Sequence, residues 1–371
     1  MSTATRIEWT DTTWNPVVGC TPVSPGCLNC YAATFAGRGL HEHYVGLTVR
    51  RQDKLRDGER ARTRAVFNGV VRMLPEKLTE PLHWRRPRRV FVNSMSDLFH
   101  ESVPFEFIAA VYGVMGAAPE HTFQVLTKRP GRAIEFYQWL GGLSCGRTRR
   151  EAKSIGPGQL PLTICGAFAL KAIGERISVD ERFLIDMLCR DRLAGSWPLP
   201  NVWMGTSVED QPRADERIPW LLRCPAAVRF LSVEPMLSHV DVFGPIRDMK
   251  LRDVEPDPGG DGRYLHWVIV GGESGAQARP CNVAWVRSVV EQCRDAGVPV
   301  FVKQLGRAPV EDLAVWQSRP FSRLLSFSQG KRLGLLHSTS EVVWEVADKK
   351  GGDMAEWPED LRVREFPEAR S

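Results

Sequence analysis

Cys20, Cys27 and Cys30 stand in one short run, Val-Gly-Cys-Thr-Pro-Val-Ser-Pro-Gly-Cys-Leu-Asn-Cys-Tyr, with the spacing C-x6-C-x2-C. Three thiolates can hold three irons of a [4Fe-4S] cluster, whereas full protein ligation takes four cysteines. The fourth iron is then open to a small molecule, and S-adenosylmethionine, a cofactor of radical chemistry, is the candidate. The spacing leaves other chemistry open. Zinc would use the same thiolates with a fourth ligand from His41, His43 or elsewhere, although zinc sites commonly show two paired half-sites and only one C-x2-C pair is present here. Free cysteine is also often buried and inert, which suits a loop rich in Pro, Gly, Ser and Asn less well. Cys145, Cys165, Cys189, Cys224, Cys281 and Cys293 are scattered singly and read as core or incidental.

The elements that would position such a loop recur along the chain. Short β-rich runs occupy Thr12 to Val18, Arg89 to Asp97, Thr122 to Arg129, Asn201 to Asp210, Val228 to Pro235, His266 to Gly275 and Pro299 to Gln304. Continuous apolar runs of this length suit strands buried on both faces. Helical patterns follow several of them, over Phe105 to Ala117, Arg132 to Leu140, Arg213 to Leu222 and Val283 to Asp295, with Pro104 placed for a helix start and Gly297 for a helix end. Alternation of strand and helix predicts an α/β fold on a parallel sheet, a partial or complete (β/α) barrel, with an open doubly wound sheet as the alternative.

In such barrels the reacting groups sit at the C-terminal ends of the strands. Those ends here carry Asn93, Ser94, Ser96, Asp97, Thr127, Lys128, Arg129, Thr206, Ser207, Glu209, Asp210, Glu234, Glu273, Ser274, Lys303 and Gln304. Any one of them is readily explained as a loop or helix cap. Polar residues after six strands together predict a shared pocket, with the cysteine loop at the same mouth. The Gly271-Gly-Glu-Ser-Gly275 run adds a backbone that a ligand could approach closely.

The chain of 371 residues carries a net charge of +5, mildly basic and short of a dedicated DNA binder. Arginine and lysine nonetheless cluster at 50–64, 85–89 and 147–153, and each cluster could attract phosphates. No stretch approaches the roughly 18 unbroken apolar residues of a membrane helix, so no membrane partner is expected. The cysteine usage suits a reducing cytosol, which predicts a cytoplasmic protein. The barrel is expected over 1–340, with insertions at about 141–198 and 246–263, and a C-terminal tail over 341–371 packed on it.

Several runs together resemble a known family. Ile7-Glu-Trp-Thr-Asp-Thr-Thr-Trp-Asn-Pro16 with the cysteine loop, Phe91 to His100, Leu126-Thr-Lys-Arg-Pro130, Pro200 to Gln211, Leu231-Ser-Val-Glu-Pro-Met236, Val270 to Gly275, Lys350-Gly-Gly-Asp353 and Trp357 to Phe366 look like phage-associated three-cysteine proteins, which in turn resemble radical S-adenosylmethionine (radical SAM) enzymes. The usual radical SAM loop is C-x3-C-x2-C, so the first gap here is longer, and Asn29 stands where an aromatic commonly precedes the last cysteine.

The resemblance implies a partial barrel of the radical SAM type, a [4Fe-4S] cluster held by Cys20, Cys27 and Cys30, and reductive cleavage of S-adenosyl-L-methionine to a 5′-deoxyadenosyl radical. It implies an electron donor such as flavodoxin or ferredoxin. The substrate it points to is phage DNA carrying a modified thymine, with isomerisation of an N-linked glycinyl-thymidine to the C-linked form. Asn93, Ser94 and Asp97 would lie near the cofactor's amino-acid end, Thr206, Ser207, Glu209 and Glu234 near its ribose and methionine, and Gly271, Gly272 and Glu273 would close the pocket. Lys128, Arg129 and Lys303 would meet substrate charge in the catalytic set. The rival readings are a zinc-stabilised nucleic-acid-binding protein and a radical SAM enzyme acting on RNA or a small metabolite.

Overall fold

The structure is a computed structural model that describes residues 5, 7–52, 63–145, 160–173, 197–249, 264–275, 277–312, 341–343 and 346–367. Seven strands form one all-parallel sheet: β1 (Thr12–Trp14), β2 (Arg89–Val92), β3 (Thr122–Thr127), β4 (Val202–Ser207), β5 (Val228–Val233), β6 (Trp267–Gly271) and β7 (Val300–Gln304). They lie side by side in chain order. A doubly wound sheet would reverse its order at a switch point, and none occurs. β1 and β7 are the two edges of the sheet, so the architecture is a curled half-barrel, the partial rather than the complete form.

Period-2 alternation sorts the side chains onto two faces. Phe91, Trp203, Phe230, Trp267, Ile269 and Phe301 point to one face, where Trp9 packs among them. Val90, Val92, Val125, Met204, Val233, Val270 and Val302 point to the other, against the helices. Gly205 stands on the aromatic face because a Cβ there would run into the Phe230 ring. The aromatic side is the filled interior of the half-barrel. The aliphatic side is the sheet–helix layer.

The helices are α1 (Tyr31–Ala36), α2 (Phe105–Ala117), α3 (Pro130–Cys145), α4 (Leu160–Ile173), α5 (Gln211–Leu222), α6 (Gly244–Arg247) and α7 (Val283–Asp295). Asp210 caps α5 by accepting from the Arg213 N–H at 3.0 Å, and Asn282 caps α7 by accepting from the Ala284 N–H at 2.9 Å. Gly297 takes φ +63° just past α7, the left-handed turn that ends a helix. α3 starts at Pro130, two residues before its apolar pattern, because proline is well placed in a first turn.

One expectation changes. The run Thr12 to Val18 is broken at Asn15-Pro16: Thr12–Trp14 joins the parallel sheet, while Val17–Val18 pairs with Arg72–Met73 in a separate antiparallel ribbon. The region read as an insertion at 141–198 contributes α4 to the helical layer, where Gly113 of α2 leaves room for the backbone at Cys165. The helical pattern from Ser178 to Leu193 and the loop 250–263 lie outside the described residues.

Residues 346–367 run along β7. The Val302 N–H donates to Val363 O at 2.9 Å, the Glu365 N–H to Val300 O at 3.0 Å, and Arg364 forms an antiparallel bridge with Phe301. Phe366 packs on Trp267 and Phe301, with the Arg89 guanidinium 4.4 Å over its ring. The strap therefore covers the edge of β7 and reaches a residue at the start of β2.

Candidate functional site

The loop carrying the three cysteines leaves the Val17–Val18 ribbon and ends at α1, whose first residue is Tyr31. Cys20, Cys27 and Cys30 all line one cavity of about 150 Å³ at the C-terminal mouth of the sheet. Asn93, Ser94, Asp97, Lys128, Arg129 and Ser207 line the same cavity. Six expected site residues are thus brought to the cysteines by the ends of β2, β3 and β4.

Asp97 organises this wall. Its carboxylate accepts from the Thr127 hydroxyl at 2.7 Å, the Lys128 N–H at 3.0 Å and the Arg129 guanidinium at 3.1 Å. Arg129 continues to Glu101 at 2.9 Å and to Thr21 O at 3.0 Å, and its Nη1 lies 3.9 Å from the Cys20 sulfur. Burial, and then the Asp97 charge, push the Cys20 thiol up to about 12, with Arg129 opposing. Burial likewise raises the Cys30 thiol. Asn93 is buried at φ +60°, a backbone state costly for a side chain other than glycine. Its Nδ2 has no hydrogen-bond partner, so a buried donor is left unmatched beside the cavity.

Two more strand ends fasten the loop from the opposite side. Glu209 is fully buried and takes the Gly26 N–H at 3.2 Å, Lys128 Nζ at 3.2 Å and Arg217 of α5 at 3.0 Å. Burial works against its charge, yet Lys128 and Arg217 hold its carboxyl below the ordinary value. Glu273 receives Arg279 through two nitrogens, at 3.0 and 2.7 Å, and the Asn29 amide at 2.9 Å. Its carboxyl is also held low, against burial, by Arg279 and Asn29. Arg279 reaches on to Pro25 O at 2.9 Å. Gly26 lies close against this pair, since a Cβ there would be 2.6 Å from Lys128 Nζ and would push the ammonium aside. Glu209 and Glu273 are therefore latches of the cysteine loop and do not line the cavity.

The other expected residues have different places. The Thr206 hydroxyl donates to Thr127 O at 2.8 Å, tying β4 to β3 from the helix-facing side. Lys303 pairs with Glu234 at 3.0 Å, and neither lines the cysteine cavity. Gly271 makes room for that carboxylate, since a Cβ would sit 2.9 Å from Glu234 Oε1. A Cβ on Gly272 would run into Leu305 O. The paired glycines are thus occupied by the protein's own groups, which accounts for them without a ligand. His41 and His43 line a separate groove, apart from the cysteines. Among the described residues, no three His, Cys, Asp or Glu side chains are arranged to hold a metal ion.

One family model, described as a protein of unknown function (DUF5131), matches residues 4–355. The chain belongs to the DUF5131 family. No curated protein and no solved structure matches it.

In this DUF5131 chain, the residues that sequence reasoning missed are the partners of the latches. Arg279 follows the glycine run in Gly275-Ala-Gln-Ala-Arg279, Arg217 sits on the buried face of α5, and Asn29 lies between two of the cysteines. Their one signal is charge: a buried carboxylate after a strand needs a cation, and an arginine lies within eight positions of each of Glu209 and Glu273.

Proposed function

We propose that this protein is a radical SAM enzyme whose Cys20, Cys27 and Cys30 hold a [4Fe-4S] cluster with one iron open to S-adenosyl-L-methionine. The observation that carries the reading is the convergence of all three cysteines on one cavity at the mouth of a parallel half-barrel. The donor set fits. Zinc at about 2.3 Å from tetrahedral thiolates would draw all the sulfurs to a single point. A four-iron cluster places each cysteine on a different iron and makes no such demand. Metal binding would displace the Cys20 and Cys30 thiol protons that burial favours.

When bound, the cluster would supply the electron that cleaves the cofactor to a 5′-deoxyadenosyl radical. The chain's own groups hold and screen the site. Arg129 offsets negative charge at the Cys20 sulfur, and Lys128 stands between the loop and Glu209. Asn93 Nδ2 and Ser207 are polar groups available to a ligand at the wall. The proposed substrate is phage DNA carrying N-linked glycinyl-thymidine, isomerised to the C-linked form in the host cytoplasm. An electron donor such as flavodoxin or ferredoxin would serve the cluster.

The test is electron paramagnetic resonance of anaerobically reconstituted, reduced protein, with and without S-adenosylmethionine. A [4Fe-4S] signal that shifts on cofactor addition is expected. Stoichiometric zinc without iron would return the cysteines to a structural role. Cys20→Ala is expected to lose iron and cofactor cleavage while keeping the fold, and retained cleavage in that variant would sink the assignment. Turnover on DNA with and without the precursor base tests the substrate.

A further inference from the structure

A second concavity, of about 940 Å³, lies beside the cysteine cavity. Its size is at the upper end of small-molecule sites. Tyr31 and Ser94 line both, so the two adjoin at the residue that follows the last cysteine, where the Tyr31 hydroxyl donates to Ser94 O at 2.7 Å. Arg85, Arg86, Arg88 and Lys77 give the groove four permanent cations. Among the described residues the only carboxylate lining it is Glu80, which Lys77 already holds at 2.7 Å. Arg85 and Arg86 are exposed and have no hydrogen-bond or ion-pair partner among the described residues.

The same groove presents aromatic faces. Phe35, His41 and Tyr44 form a preassembled trio, with Phe35 and His41 stacked at 6.3 Å and Tyr44 edge-on to both at 5.8 and 5.9 Å. Phe35 is 38% exposed and Tyr31 55% exposed, which is unusual for large aromatic rings in a folded chain. Cations and aromatic rings lining one groove are what a single nucleic-acid strand needs: phosphates take the cations, and bases stack on the rings whatever their sequence. An acidic peptide would use the cations and leave the rings bare.

We propose that this groove binds a single strand of nucleic acid, with phosphates on Arg85, Arg86 and Arg88 and bases on Phe35 and Tyr44, and leads one base past Tyr31 to the cysteine cavity. The proposal deepens the radical SAM reading by giving its substrate a surface. It also accounts for how a base inside a duplex would be reached, since enzymes acting on bases take them out of the stack.

The test is fluorescence anisotropy of a labelled mixed-sequence single-stranded DNA oligonucleotide with the full-length protein and no S-adenosylmethionine. Arg85→Glu/Arg86→Glu is expected to weaken binding by about tenfold or more and to lower the slope of log K against log salt by roughly 1.4, the loss of two single-strand phosphate contacts. Phe35→Ala is expected to weaken it by roughly fivefold or more through lost stacking. Thermal unfolding of each variant checks the fold. Unchanged affinity in the arginine variant overturns the proposal. So does a base-free polyphosphate that competes as well as the oligonucleotide while Phe35→Ala binds normally, because the groove would then be a bare anion patch. Preference for a duplex over the single strand overturns it too. Iron content and cofactor cleavage report separately on the cysteine cavity, so failure of one reading is visible without the other.

Discussion

At the scale of single residues, the site is held by buried charges that meet across long stretches of chain. Glu209 is surrounded by Lys128, Arg217 and the Gly26 N–H. Removing one partner of a buried ion pair strands the others, at a cost of roughly 3–5 kcal/mol. Glu209→Gln is therefore expected to lower stability by about 3 kcal/mol, read as the denaturant midpoint, and Lys128→Met in the same chain to recover part of it. If the single variant unfolds like the parent, the latch is not under load. Acid should act on the same groups. Glu209 and Glu273 both sit below the ordinary glutamate value of 4.5 in the folded chain, so folding favours their charged forms. Their contribution is complete above 4.5, the unfolded value, and disappears as the pH falls through the lower folded values. Glu273→Gln is expected to be less stable than the parent at pH 7 and to lose less on acidification below about 4.5. Parallel stability curves for the two proteins would argue against this.

At the scale of elements, the strands were legible and their long-range partners were not. From Arg89 onward every parallel strand begins within one residue of the apolar run that encodes it. The failure at Asn15-Pro16 has a local cause: Pro16 has no N–H with which to continue the ladder, and the chain turns there into the ribbon. Asp210 proved to be the helix cap that its type suggests. The glycines of Gly271-Gly272 pointed toward a ligand in the sequence, and the fold adds close contacts with the loop after β7 and with Glu234. Those contacts depend on residues more than thirty positions away, which no local pattern contains. The loop after β7 is packed in turn by Gly351, at φ +65°, whose Cβ would run into Gly306 O. Gly351→Ala is expected to cost about 1–3 kcal/mol in backbone strain alone and to make residues 346–367 faster to cleave by protease. Unchanged protection would mean that the strap docks without this turn.

At the scale of the whole molecule, an open half-barrel has two exposed edges, and unpaired strand edges invite association with other chains. The strap relieves this at β7, and Trp357, Leu361 and Phe366 bring it into the cores. Deleting residues 346–371 is expected to uncover that edge and these apolar contacts, and to convert the protein to oligomers or aggregates on size-exclusion chromatography. A monomeric, well-folded deletion variant would show that the edge needs no cover. Among the described residues no helix is long and apolar enough to cross a membrane.

The fastening of the cysteine loop also sets an order of events during biosynthesis. Asn29 and its anchor Glu273 are 244 positions apart, and Gly26 and Glu209 are 183 apart. At bacterial or eukaryotic elongation speeds, the ribosome needs roughly 12–50 s after Asn29 to deliver Glu273. For most of that interval the three thiols are outside the ribosome, while the latches that dock their loop do not yet exist. Docking of the loop is therefore a late step, completed only when β6 and Arg279 have joined the sheet, and any metal delivered earlier would meet a nascent chain with three tethered cysteines rather than a cavity.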